Sequence, residues 1–207
     1  MPSTEFTAAL PFVLRWEGGF VNHPDDPGGA TNKGVTQKVY DSWRTAQQLP
    51  IRHVRGIEHA EVVAIYEQQY WIPSRCDVLR SKLDVVQFDT AVNMGVSRAI
   101  RLLQGVLLCH VDGDFGSRTE QAAARCDIAS TMAAYCDARE TYYRRLAEKN
   151  PRLQVFLKGW LNRLNALRWH AGVPGAAAVR SVDRGDIGYI ARIPDIGIDP
   201  MYDVDDR

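Results

Sequence analysis

No continuous helix or strand can run through residues 16–36 of this chain. They read W-E-G-G-F-V-N-H-P-D-D-P-G-G-A-T-N-K-G-V-T, with glycine at 18, 19, 28, 29 and 34 and proline at 24 and 27. What comes before is helical. Phe6, Leu10, Val13, Leu14 and Glu17 fall at offsets 0, 4, 7, 8 and 11, one face of a helix over residues 5–17. Pro11 removes one backbone hydrogen bond, so this helix is expected to begin late or kink there. Gly18 and Gly19 end it, where a left-handed residue is wanted. Phe20–Thr36 then reads as a small hairpin or lobe. Glu17 points the same way as the core residues, against Trp16, and burial disfavours its charged form, which predicts a raised pKa.

The rest of the chain is a succession of helices separated by breakers. Thr36 is placed to cap a helix from Gln37 to about Gln48, with Val39, Tyr40 and Trp43 inward, ended by Leu49-Pro50. Further helices are expected over Glu58–Tyr70, Leu83–Met94 and Ser97–Leu108. The segment H-V-D-G-D-F-G-S-R-T-E opens another near Ser117. Asp127–Lys149 is long and amphipathic, and Arg152–Ala171 should turn Val155, Phe156, Trp160, Leu164 and Leu167 inward before Gly172 and Pro174 stop it. From Gly175 the helical period is lost, and residues 175–207 read as an extended acidic tail. No Pro/Ser/Gly-rich spacer lies near Gly95, so residues 95–172 are expected to pack on residues 5–94.

Charge and cysteine content narrow the partners. Residues 181–207 hold seven acids and three bases, leaving 22 bases and 18 acids in residues 1–180. That excess suits an anionic polymer but is too small to argue nucleic acid. No run of 18 apolar residues exists, so no stable membrane insertion is expected. The first residues lack the basic start and apolar stretch of a signal peptide, which suggests synthesis in the cytoplasm and release by another route. Cys76, Cys109, Cys126 and Cys136 form no C-x-x-C pair and read as buried free thiols. A monomer without cofactor or metal is expected. His23, Asp25 and Asp26 fit no common metal-ligand spacing, and Asp112-Gly113-Asp114 fails the calcium-loop pattern and reads as a turn leading a helix.

One set of residues could share a reaction centre. Glycosidic hydrolysis needs a carboxylic acid that keeps its proton near neutral pH and a second group that holds water or the developing cation. Glu17 suits the first task. Asp26, in a polar glycine-rich turn, suits the second, and Thr31 offers a hydroxyl to orient water. The spacing E-x8-D-x4-T spans a helix end and one hairpin. Plainer roles remain open for all three: an ion-paired helix end, an Asx-type cap before proline and a strand hydroxyl. Asp89 and Asn93, i and i+4 on one helix, either line a groove and bond N-acetyl or hydroxyl groups or support the catalytic loop. Trp71 and Trp160 are expected in the core.

These motifs resemble a known family. Glu17-Gly18-Gly19-Phe20, Asp26-Pro27-Gly28-Gly29-Ala30-Thr31 and Lys33-Gly34-Val35-Thr36 look like the signature of glycoside hydrolase family 108. That family comprises N-acetylmuramidases, including phage endolysins and secretion activator proteins. The likeness continues through Tyr70-Trp71 and Phe88-Asp89-Thr90-Ala91-Val92-Asn93-Met94-Gly95. Leu103-Gln104, Asp112-Gly113-Asp114-Phe115-Gly116 and Gly159-Trp160-Leu161-Asn162-Arg163 resemble the family's C-terminal peptidoglycan-binding region. The spacing is also similar to that of phage-type lysozymes of family 24, with one residue fewer before the threonine.

The resemblance implies a mainly α, lysozyme-like fold with a small β-hairpin beside the active-site helix. It implies a muramidase domain over residues 5–94 and a helical peptidoglycan-binding-like region over 95–172. The implied activity cleaves the β-1,4 bond between N-acetylmuramic acid and N-acetylglucosamine in peptidoglycan glycan strands, with Glu17 as general acid. Phe20 stands where tyrosine is more usual, keeping a ring for packing or sugar stacking without the hydroxyl. A prophage endolysin and a secretion-associated wall-remodelling enzyme both fit. Competing readings are a lytic transglycosylase using Glu17 alone and a non-catalytic peptidoglycan-binding protein.

Overall fold

A computed structural model describes residues 2–22 and 29–173. Asp26, the possible metal ligands beside it and the acidic tail lie outside the described residues. The chain divides into two compact units, Met1–Gln69 and Tyr70–Arg207.

The first unit opens with α1, Thr4–Trp16, capped by the Ser3 hydroxyl, which accepts from the Phe6 amide at 3.1 Å. The helix runs through Pro11 from the first turn, so the late start expected from that proline is not what the chain does. Pro11 is exposed, and the residues around it (Phe6, Ala9, Leu10, Phe12, Val13 and Trp16) are all buried. Packing on that face outweighs one missing hydrogen bond. The hairpin is minimal: β1 (Thr31–Asn32) pairs antiparallel with β2 (Val35–Thr36). Lys33 and Gly34 both have positive φ, 49° and 75°, as a two-residue turn matched to strand twist requires.

Helix α2, Gln37–Ala46, starts on Thr36, whose hydroxyl accepts from the Val39 amide as expected. Its buried residues are Tyr40 and Arg44. They meet Glu61 of α3, His59–Tyr66: the Tyr40 hydroxyl donates to Glu61 at 2.7 Å, and Arg44 pairs with the other carboxylate oxygen. Arg52 reaches both Tyr40 (2.7 Å) and Glu61 (2.6 Å). Burial alone would raise the Glu61 carboxyl. Hydrogen bonds from Tyr40, the Glu58 amide and Arg52 outweigh it and hold the group below the usual carboxylate range. Where one helix to Tyr70 was expected, α3 ends at Tyr66 and widens into a π-helical turn, Glu67–Trp71.

The second unit is built around α4, Leu83–Met94, all twelve residues of which are buried. A helix enclosed on every side needs neighbours on every side. It has them in α5 (Val96–Val106), α7 (Ile128–Lys149) and α8 (Gln154–Ala171). Gly95, at φ 89°, makes the one-residue break between α4 and α5. Trp71 and Trp160 are core residues, Trp71 edge-on to Phe88 and Trp160 stacked on Tyr143. Val155 is 76% exposed, against expectation. It lies five residues before Trp160, about 140° around the helix, so the two cannot share a face. Gly172 in the left-handed conformation closes α8. The four cysteines are unpaired; burial pushes the Cys136 thiol up to about 11 and raises that of Cys76 as well. No described helix is long and apolar enough to cross a membrane.

Candidate active site

In the first unit the expected reaction-centre residues sit at the end of α1 and on the hairpin. Glu17 is the C-cap of α1, half-buried, its amide bonded to the Leu14 carbonyl at 3.3 Å. Gly18 follows at φ 70° and turns the chain away. Four residues past Glu17, Val21 exchanges two hydrogen bonds of 2.8 Å with Thr31. Thr31 also faces Thr36 across the hairpin, so it lies between Val21, to which it makes one isolated bridge, and Thr36. The chain thus leaves at Val21 and returns at Thr31. That tie keeps the Glu17 and Thr31 Cα atoms within roughly 19 Å, four extended residues plus one ladder spacing.

The hairpin is fastened from beneath by polar side chains. Buried Asn32 donates from Nδ2 to the carbonyls of Val54 (3.2 Å) and Arg55 (3.1 Å). Gln37 accepts from the Val54 amide at 2.7 Å, and the Tyr66 hydroxyl donates to the Lys33 carbonyl at 2.9 Å. Phe20, three residues after Glu17, is half-buried, with the Arg55 guanidinium 4.2 Å above its ring and the His53 ring 5.9 Å away. One part of the ring is therefore covered, leaving a sugar only the remainder. Asn32, His53 and Arg55 carry no signal in the sequence. Asn32 is in the two-residue strand β1 and His53 and Arg55 belong to the single 3-10 turn around Val54–Gly56, so only the fold brings them together.

The second unit corrects the expectation for Asp89. It is fully buried and both oxygens are engaged: Arg139 Nη1 reaches Oδ2 at 2.8 Å, and Arg163 reaches Oδ1 through Nε (2.9 Å) and Nη2 (2.8 Å). Burial would raise the carboxyl, but the two guanidinium charges outweigh it and hold it below the usual range. A carboxylate so placed has no edge to offer a sugar. It is the central member of a polar seam between α4 and α7. Along that seam Gln87 accepts from Tyr135, Thr90 accepts from Arg139 and Asn93 Oδ1 accepts from Tyr143 at 2.6 Å. Tyr135, Arg139 and Tyr143 are spaced by four, one face of α7. Asn93, 1% exposed, is an interior residue as well, so its sugar-facing reading gives way to a structural one.

The Asp112-Gly113-Asp114 turn leads into α6, Ser117–Arg125, and is organised by Gln104. That buried amide donates to Asp112 Oδ1, the Asp114 carbonyl and Thr119, and accepts from the amides of Asp112 and Gly113. Among the described residues no group of three or more His, Cys, Asp or Glu is placed to hold a metal.

Comparison with known proteins gives three findings. The family described as Glycosyl hydrolase 108 matches residues 10–95. A second, described as Predicted Peptidoglycan domain, matches residues 98–165. Among solved structures the chain is similar to SagA of Brucella abortus, at 30% identity and a TM-score of 0.68, over 84% of this chain and 98% of that one. No curated protein matches.

Proposed function

The chain belongs to glycosyl hydrolase family 108, and from that premise we propose that it is an N-acetylmuramidase with Glu17 as its general acid. That it is a glycoside hydrolase of peptidoglycan follows from the family and from the peptidoglycan domain behind it. Its mainly helical, lysozyme-like fold with one small hairpin accords with this. The bond cut is proposed to be the β-1,4 link between N-acetylmuramic acid and N-acetylglucosamine. The observation that carries the assignment is the position of Glu17: a half-buried carboxyl at a helix end, followed by a turn whose chain is tied back at Thr31.

In the proposed reaction the Glu17 carboxyl gives its proton to the leaving glycosidic oxygen as the bond to the anomeric carbon breaks. Asp26, helped by the Thr31 hydroxyl, positions water or stabilises the oxocarbenium-like sugar on the other face. Attack by water then gives a reducing muramic acid end. The enzyme is proposed to work on the wall, as a prophage endolysin or a secretion-associated remodelling enzyme.

Glu17→Gln tests this. It should abolish clearing of a cell-wall suspension while the thermal melt stays close to wild type, since the residue is a half-buried cap with its backbone bond intact. A variant that still clears the suspension refutes the role. Mass spectrometry of wild-type products completes the test: reducing muramic acid ends fit hydrolysis, and anhydro-sugar ends mean a lytic transglycosylase.

A further inference from the structure

Resting on the muramidase reading, we propose that Arg55 is a specificity residue that recognises the carboxylate attached to muramic acid, so that the site discriminates a charged glycan strand from a neutral one. Two features of the first unit carry this. Arg55 lies 4.2 Å over the Phe20 ring, on the segment joining Glu17 to Thr31. Its backbone is held to that hairpin by Asn32, next to Thr31, which donates to the Arg55 carbonyl, and within its own turn by His53 Nδ1, which accepts from the Arg55 amide at 3.1 Å. The guanidinium is thus a cation fixed beside the hairpin rather than a wandering surface group.

Its charge has no described carboxylate partner. The other arginine of that segment, Arg52, is committed to Glu58 and Glu61, whereas Arg55 is exposed and lies over the Phe20 ring. A guanidinium held at a ring face keeps its N–H donors, which can grip a carboxylate at two points. In peptidoglycan each muramic acid bears a lactyl group. It ends in a carboxylate when bare and in a peptide stem, with carboxylates of its own, when substituted. N-acetylglucosamine has neither. A cation beside an aromatic ring is wasted on a neutral sugar and useful for this one.

The test uses the full chain and needs no turnover. Binding is measured by titration calorimetry in Glu17→Gln and in Glu17→Gln/Arg55→Gln, with chitotetraose and with a tetrasaccharide alternating N-acetylglucosamine and N-acetylmuramic acid. Loss of the guanidinium should weaken the muramic acid ligand about 2- to 5-fold, the upper part of the range for an exposed charge pair, and leave chitotetraose unchanged. The difference should shrink in high salt, and Arg55→Lys should restore only part of it. Peptide-bearing strands, compared with amidase-stripped ones, tell whether the stem or the lactyl carboxylate is read. Equal weakening of both sugars would mean that Arg55 only props Phe20, and no weakening of either would also overturn the proposal. Wall clearing by Glu17→Gln would instead refute Glu17 as the general acid, and anhydro-sugar ends in the wild-type products would sink the muramidase reading, both separate results from either.

Discussion

Asp89→Asn is the sharpest test of how the second unit is built. The substitution keeps the volume but removes the negative charge from a site where two guanidinium groups converge on it at 2.8–2.9 Å. Arg139 and Arg163 are 0% and 1% exposed, so water cannot take over the lost partner. Two buried cations would face a neutral amide whose NH₂ is a donor set against donors. Removing one member of a buried ion pair costs about 3–5 kcal/mol. Against a total stability of roughly 5–15 kcal/mol, that is about a fifth or more. For a chain of this size the melting point should fall by about 6–20 °C.

The assay is thermal and urea unfolding of wild type and variant across pH. The Asp89 carboxyl lies below the usual range when folded. Its contribution is therefore complete above the unfolded value of about 3.9 and is lost as pH falls through the folded value. The gap between wild type and variant should close in acid and be full at neutral pH. A variant that melts within ~2 °C of wild type at pH 7 refutes the reasoning, since that is under 1 kcal/mol. If such a variant also bound glycan more weakly, Asp89 would be a sugar ligand after all.

Two further outcomes follow from the first unit. Gly18→Ala should lose about 1–2 kcal/mol, because φ is 70° and an added Cβ meets nothing within 4 Å, so the cost is backbone strain alone. A melt unchanged to within a degree would mean that the turn after Glu17 relaxes freely. Glu61→Gln should destabilise the chain at neutral pH and flatten its acid sensitivity, since the Glu61 carboxyl is held low by Tyr40, the Glu58 amide and Arg52. Parallel acid melts of variant and wild type would contradict this.

Much of the architecture is legible one residue at a time. The glycine turns after Glu17, the Thr36 cap, the helix Leu83–Met94 and the stop at Gly172 are local matters of φ, hydrogen-bond supply and apolar period. So is the signature that marks the family, because a motif is a string. Neighbours distant in the chain decide the rest. Asp89 and Asn93 look alike whether they face a groove or a seam; only α7 and α8, about 50 and 74 residues on, settle that they face arginines and a tyrosine. Arg55 is one base among many until Asn32 and Phe20 fix it beside the hairpin. Covalent connectivity governs backbone turns within a few residues. A side chain's charge acquires its use from whatever the folded chain sets opposite it, and no spacing along the sequence carries that.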